Sequence, residues 1–220
     1  MDRSRHSVGR CLTPGMDDMW SVISTERGAL ADDLSALDEG AWDTPSLCEG
    51  WTVRDAVAHM IATAEMTPPK FIAKMLRSGF DFQRMTAKEI ADKRGASPAV
   101  EVEHLRAVRD RRTAPPGPTA SWLGESIVHA EDVRRPLGLT RAYPMEAVVA
   151  VADFYQGSNL LIGAKRRIAG VRLEATDTEW SHGAGPTVQG PMLSLLLAMT
   201  GRRIALDDLA GDGVATLRDR

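Results

Sequence analysis

The stretch SWLGESIVHAEDVRR, residues 121–135, constrains the fold more than any other in the chain. At about 100° per residue it places Glu125, His129 and Asp132 on one face of a helix. Trp122, Val128 and Val133 flank that face. A carboxylate and an imidazole framed by apolar side chains predict an inward-facing stripe. Burying such groups is costly unless each meets a partner. The chain must therefore fold so that other elements pack around this helix and bring polar groups to it.

The remaining pattern supplies those elements. Trp20, Ile23, Leu30, Leu34 and Leu37 recur at helical spacing and predict a helix over 17–37, ended by Gly40. Thr52, with Asp55 three residues later, predicts a capped start for the helix VRDAVAHMIATAEM. Thr67-Pro68-Pro69 breaks it, and residues 69–95 read as one or two short, less regular helices forming a long connection. Ser97-Pro98 predicts an N-cap and first turn for VEVEHLRAVRDRR. The helix of residues 121–135 stops before Pro136. Four substantial helices with one long crossover predict a four-helix bundle.

Beyond Pro144 the texture changes. MEAVVAVADFYQGSNLL reads as a helix, VRLEAT and EWSHGAGPTVQG as a short strand pair turning near Asp177, and PMLSLLLAMTG and VATLRDR as two more helices. The expected architecture is mainly α, with a small C-terminal α+β segment. Residues 1–15 read as a disordered leader, with Met16 as an alternative start; 16–140 form the bundle and 141–220 the C-terminal segment.

Composition narrows the function. A net charge of −3 and a pI of about 6.0 give no electrostatic footprint for nucleic acid. Apolar runs such as MLSLLLAM are too short to span a bilayer, and the basic first residues lack the apolar core of a signal peptide. Cys11 and Cys48 make no disulfide framework. These features predict a cytoplasmic protein with neither nucleic acid nor membrane as partner, and a monomer or homodimer is expected.

Glu125 and His129, at i and i+4, can ligate one ion from successive turns. A third ligand must come from another helix, and His59 is the candidate. Ala56, Ala62 and Thr63 surround it on the helical wheel and are all small, leaving room for an ion. Two histidines and a glutamate would make a three-ligand zinc site with an open fourth position, a catalytic arrangement; nickel or iron would also fit. Taken alone, such a pair is more often a surface ion pair, and most histidines placed like His59 are merely hydrogen-bonded. Asp132 reads as a supporting or structural group rather than a ligand. His104 reads as solvated surface, His182 as structural, and His6 lies in the leader. Cys48 reads as a loop residue too far along the helix axis to touch the site, and Trp51 as a packing anchor.

TPSLCEGWTVRDAVAHM, ESIVHAEDVRRPLG and ATDTEWSHGAGPTVQGPMLSLLLAMTGRR with LDDLAGDGVATLRDR together resemble the mycothiol-dependent maleylpyruvate isomerase family, within the DinB-like metal-binding superfamily. The resemblance implies a DinB-like bundle with His59, Glu125 and His129 at the metal-ligand positions. It implies mycothiol as thiol cofactor or cosubstrate, a small electrophilic substrate and an actinobacterial host. The enzyme would be an isomerase, adding thiol to a cis double bond and releasing it after rotation, or an S-transferase, in which the adduct is the product. Arg202 is the candidate for holding an anionic substrate or the thiol, although its sequence context favours an ordinary arginine placed at a helix end by the dipole. A non-enzymatic metal- or ligand-binding module and a metal-dependent hydrolase remain the alternatives.

Overall fold

The computed structural model describes residues 16–160 and 162–220. The leader expected over 1–15, with His6 and Cys11, lies outside the described residues. Four helices form the bundle: α1 (Met16–Ser35), α2 (Val53–Glu65), α5 (Pro98–Val108) and α6 (Thr119–Arg134). Helix α1 packs on α5 and α6, and α2 packs on the same two. Leu30, Leu34, Val57, Ile61 and Leu105 fill the space between them, fully buried. A 3-10 turn at Glu39–Asp43 adds Trp42 to this core.

Local chemistry sets the helix ends. Thr52 and Asp55 close a reciprocal capping box at the start of α2. Met66 then turns extended, and Thr67-Pro68 opens the next helix. The crossover is two regular helices, α3 (Pro68–Arg77) and α4 (Phe82–Lys93). Helix α4 packs on α2. Helix α3 buries no residue and leaves Ile72 and Leu76 exposed. Ser97 precedes α5 in extended backbone but makes no side-chain cap, so Pro98 alone supports that start.

The C-terminal segment begins with α7 (Met145–Gln156), which packs on α6. A short α8 (Ala164–Arg167) follows. The expected strand pair is a three-stranded sheet, β1 (Arg172–Ala175), β2 (Ser181–Gly183) and β3 (Thr187–Gly190), ordered β2-β1-β3. Strand β1 pairs antiparallel with β2 and parallel with β3. Gly183 and Gly185, both at positive φ, divide the second stretch into two strands. A Cβ on them would meet the Val171 and Gly170 carbonyl oxygens at 2.4 and 2.2 Å, so only glycine lets the chain pass so close. The apolar α9 (Met192–Met199) packs on α7 and the sheet, and α10 (Val214–Arg218) closes the chain. One hydrophobic cluster runs from α1 and α6 through α7 into α9. The fold is the mainly α bundle with a small α+β segment that the sequence pattern predicts. Among the described residues, no helix is long and apolar enough to cross a membrane.

At the end of α2, Glu65 collects Lys93 and His104, the latter at 3.1 Å. His104 is therefore a hydrogen-bond partner of Glu65 on a half-buried surface. Partial burial favours the protonated acid, but the hydrogen bonds from Lys93 and His104 outweigh it and bring the Glu65 pKa from its usual 4.5 down to about 2. Its contribution to stability is thus full above about pH 4.5 and is lost as pH falls towards 2. Glu65→Gln should be less stable than wild type at pH 7 in urea denaturation, with the difference closing over that window. A difference that stays constant from pH 7 to pH 2.5 would contradict this account.

Candidate metal centre

Helices α2 and α6 pack side by side and bring His59 opposite Glu125 and His129. One ligating atom from each of the three lies within 4.8 Å of the other two. The two imidazole centroids are 5.0 Å apart, nearly edge to face. Ala56, Ala62 and Thr63, buried beside His59, keep this region uncrowded.

Both carboxylate oxygens of Glu125 are buried without a hydrogen-bond partner. Burial raises its pKa, and the nearby charges of His129 and Arg27 only partly offset this. The Thr63 hydroxyl, close by, also favours the charged form, yet no hydrogen bond of good geometry reaches either oxygen among the described residues. An orphaned carboxylate is strongly disfavoured in a protein interior. Facing two imidazoles, it fits a divalent cation: the donor types and their number match a three-ligand catalytic site.

The two histidines are unlike. Burial, and then the neighbouring His129, push the His59 pKa down to about 3, so its ring is neutral. Burial also works against a charged His129, but its hydrogen bonds to Asp132 and Cys48 prevail and raise its pKa to about 10. Asp132 Oδ2 lies 2.8 Å from His129 Nδ1. That bond commits Nδ1 and leaves Nε2 as the nitrogen available to a ligand, the arrangement in which a carboxylate orients a metal-binding histidine.

Asp132 is fully buried and accepts from more than His129. Arg202 donates through Nε at 2.9 Å and Nη2 at 2.6 Å, and the Cys48 thiol donates at 3.0 Å. Burial favours the protonated acid, but the bonds from Arg202 and His129 hold its pKa far below the usual carboxylate range. Arg202 does sit just past the end of α9, and its Nη1 donates to the Thr200 carbonyl at 2.9 Å. Its two other bonds, to a buried carboxylate on α6, exceed the helix-end reading.

Cys48 overturns the expectation that it stands clear of the site. Its sulfur is 3.6 Å from His129 Nδ1 and 3.4 Å from Arg202 Nη2. A rise-per-residue argument assumes that the chain continues along the axis of α2. Here the loop folds back, because Leu47 N–H donates to the Asp132 carbonyl at 3.1 Å and Ser46 N–H to the Trp51 carbonyl at 2.8 Å. The same loop lays Trp51 against both imidazoles, 5.0 Å from His59 and 6.1 Å from His129, so this packing anchor packs on the site itself. Cys48, His129 and Asp132 form a second cluster of metal-ligating types. The Arg202 guanidinium already supplies the positive charge there, so that cluster is balanced without an ion.

A cleft of about 670 Å³ opens between residues 45–52 and 201–204, and Cys48, Trp51 and Arg202 line it. His182 lies 6.5 Å from Trp180, away from these groups. Two nearby residues carried no sequence signal. Arg27 on α1 is buried, donates to the Arg111 carbonyl and leaves Nη2 unpartnered. Tyr155 on α7 lies against Gly124, next to Glu125. Both are distant in sequence from the motif they approach.

Comparison with known proteins agrees with this architecture. The crystal structure of the mycothiol-dependent maleylpyruvate isomerase superposes with a TM-score of 0.62 at 16% identity, covering 90% of this chain and 93% of that one. A histidine-to-alanine mutant of the mycothiol-dependent maleylpyruvate isomerase gives 0.57 at the same identity and coverage. No curated protein matches the chain. The family described as the mycothiol maleylpyruvate isomerase N-terminal domain matches residues 23–153. With more than half its length matched, the chain belongs to that family.

Proposed function

We propose that this protein is a metal- and thiol-dependent isomerase, with mycothiol as the thiol and a small electrophile bearing a cis double bond as substrate. The observation that carries the reading is the Glu125 carboxylate, buried with both oxygens unpartnered and facing His59 and His129. The family and the named neighbours support the choice of thiol and of isomerisation over transfer or hydrolysis. The reading also places the protein in the cytoplasm, where such a thiol stays reduced.

His59, Glu125 and His129 would hold the cation, zinc by the donor set, with iron or nickel compatible. When bound, it supplies an open, positively charged position that lowers the pKa of a thiol into the neutral range. The chain's own residues do the rest. Asp132 fixes the His129 ring and makes it a stronger donor. Arg202 balances Asp132 and gives the cleft a positive wall for an anionic substrate. Trp51 covers both imidazoles and limits water beside them. Arg202 reaches the bundle from the C-terminal segment, so bundle (16–140) and segment (141–220) act together.

Protein purified without chelating resin should contain about one metal ion per chain by elemental analysis. His59→Ala, Glu125→Ala and His129→Ala should each abolish it. Asp132→Asn should keep the metal but weaken affinity roughly 10- to 100-fold, as for other residues that orient a ligand. Metal-free wild-type protein, or full loading of His59→Ala, would overturn the site.

Cobalt in place of zinc makes thiol binding visible. Adding mycothiol should produce a sulfur-to-cobalt charge-transfer band that persists below the free thiol's pKa of roughly 8.5. Cys48→Ser should retain the band, because a serine hydroxyl can make the same bond to Asp132. A cobalt protein whose spectrum ignores mycothiol would count against thiol chemistry.

A further inference from the structure

Tyr155 is 6% exposed, yet its hydroxyl makes no hydrogen bond among the described residues. It is not among the sealed unpartnered atoms either, so its oxygen is not fully closed off from solvent. Its position is fixed by α6. A Cβ on Gly124 would lie 2.4 Å from the phenol oxygen and 2.9 Å from a Val151 methyl. Glycine at 124 is therefore what lets the Tyr155 hydroxyl reach the backbone of α6 one residue before Glu125. Burial, and then the Glu125 carboxylate, make the phenol harder to ionise, while Arg202 opposes this. The hydroxyl thus lies within electrostatic reach of both the orphaned carboxylate and the guanidinium that lines the cleft. Other polar groups of the candidate site are committed: His129 Nδ1, Cys48 and Arg202 all bond Asp132. A buried donor with no partner in the protein is positioned for a partner that the substrate brings.

We propose that the Tyr155 hydroxyl donates a hydrogen bond to the substrate carbonyl oxygen on which negative charge gathers during thiol addition. This rests on the isomerase reading above. The sulfur lone pair forms the C–S bond, the π pair of the conjugated double bond shifts into the bond to the carbonyl carbon, and the carbonyl π pair moves onto its oxygen. The carbon–carbon bond, now single, turns. The pair returns from oxygen, the C–S bond breaks and thiolate leaves, so no atom or electron is gained overall. Tyr155 keeps its proton throughout and stabilises the oxyanion by a fixed dipole, a role most valuable in a dry site.

Tyr155→Phe removes only the oxygen, and that oxygen supports nothing in the resting fold. The variant should melt at the wild-type temperature or above, bind one cobalt and give the same thiolate band. With mycothiol and maleylpyruvate its kcat should fall on the order of 10²-fold, as for loss of one oxyanion donor, with KM changed less than about threefold. Infrared difference spectra with ketone-labelled ¹³C-maleylpyruvate and no thiol give a readout apart from turnover. The carbonyl stretch should shift down on binding to wild type and not on binding to Tyr155→Phe. Wild type that forms the thiolate band but shows no carbonyl shift, or a variant with unchanged kcat, would overturn the Tyr155 role and leave the metal–thiol reading intact. A variant that loses metal or melts lower would make Tyr155 structural and also overturn the proposal. Absence of the thiolate band in wild type would instead remove the reading on which it rests.

Discussion

The site depends on one buried carboxylate. Asp132 has no exposure to water, and its charge survives because an imidazole, a guanidinium and a thiol converge on it. These donors come from α6 itself, from the turn after α9 and from the loop before α2. The interaction therefore does more than orient His129. It ties three separate segments into one geometry, and its carbonyl holds the loop that carries Cys48 and Trp51. Removing one partner of such a group leaves a buried charge uncompensated, a loss of about 3–5 kcal/mol.

A second consequence concerns the two histidines. They are neighbours in the same cavity, yet one is pushed towards neutrality and the other towards the imidazolium. The difference lies in Asp132, bonded to one ring and only near the other. An imidazole backed by a carboxylate is the more basic ligand, so the two nitrogens offered to a cation are inequivalent before any ion arrives. Glu125 is the opposite case: a carboxylate with no backing, whose natural partner is a positive charge.

What the sequence revealed followed the range of the interactions involved. The capping box at Thr52, the proline breaks and the polar face of α6 are local, and they stand in the structure where the pattern puts them. His59 was a candidate partner for Glu125 from its residue type and small neighbours, but the family resemblance was needed to favour the pairing, because nothing in either helix states which faces meet. Cys48 was misplaced because a single backbone hydrogen bond from Leu47, spanning 85 positions, reverses the loop. Tyr155 and Arg27 were missed for the same reason: each reaches the site from another helix with no motif around it. The third strand was hidden by glycines whose role is to let two backbones nearly touch, a requirement that only the folded chain exposes.

Arg202 gives the molecule an unusual kind of modularity. The stretch matched as a domain ends at residue 153, and on sequence grounds that stretch owns the entire candidate ligand set. The guanidinium that completes the balance of its central carboxylate does not lie in it. A bundle transplanted or evolved without its tail would keep His59, Glu125 and His129 and lose one of the two charges that keep Asp132 ionised. The tail thus acts as an electrostatic keystone, and lineages that reshape it must either keep a cation at this spot or retire the acid beneath it.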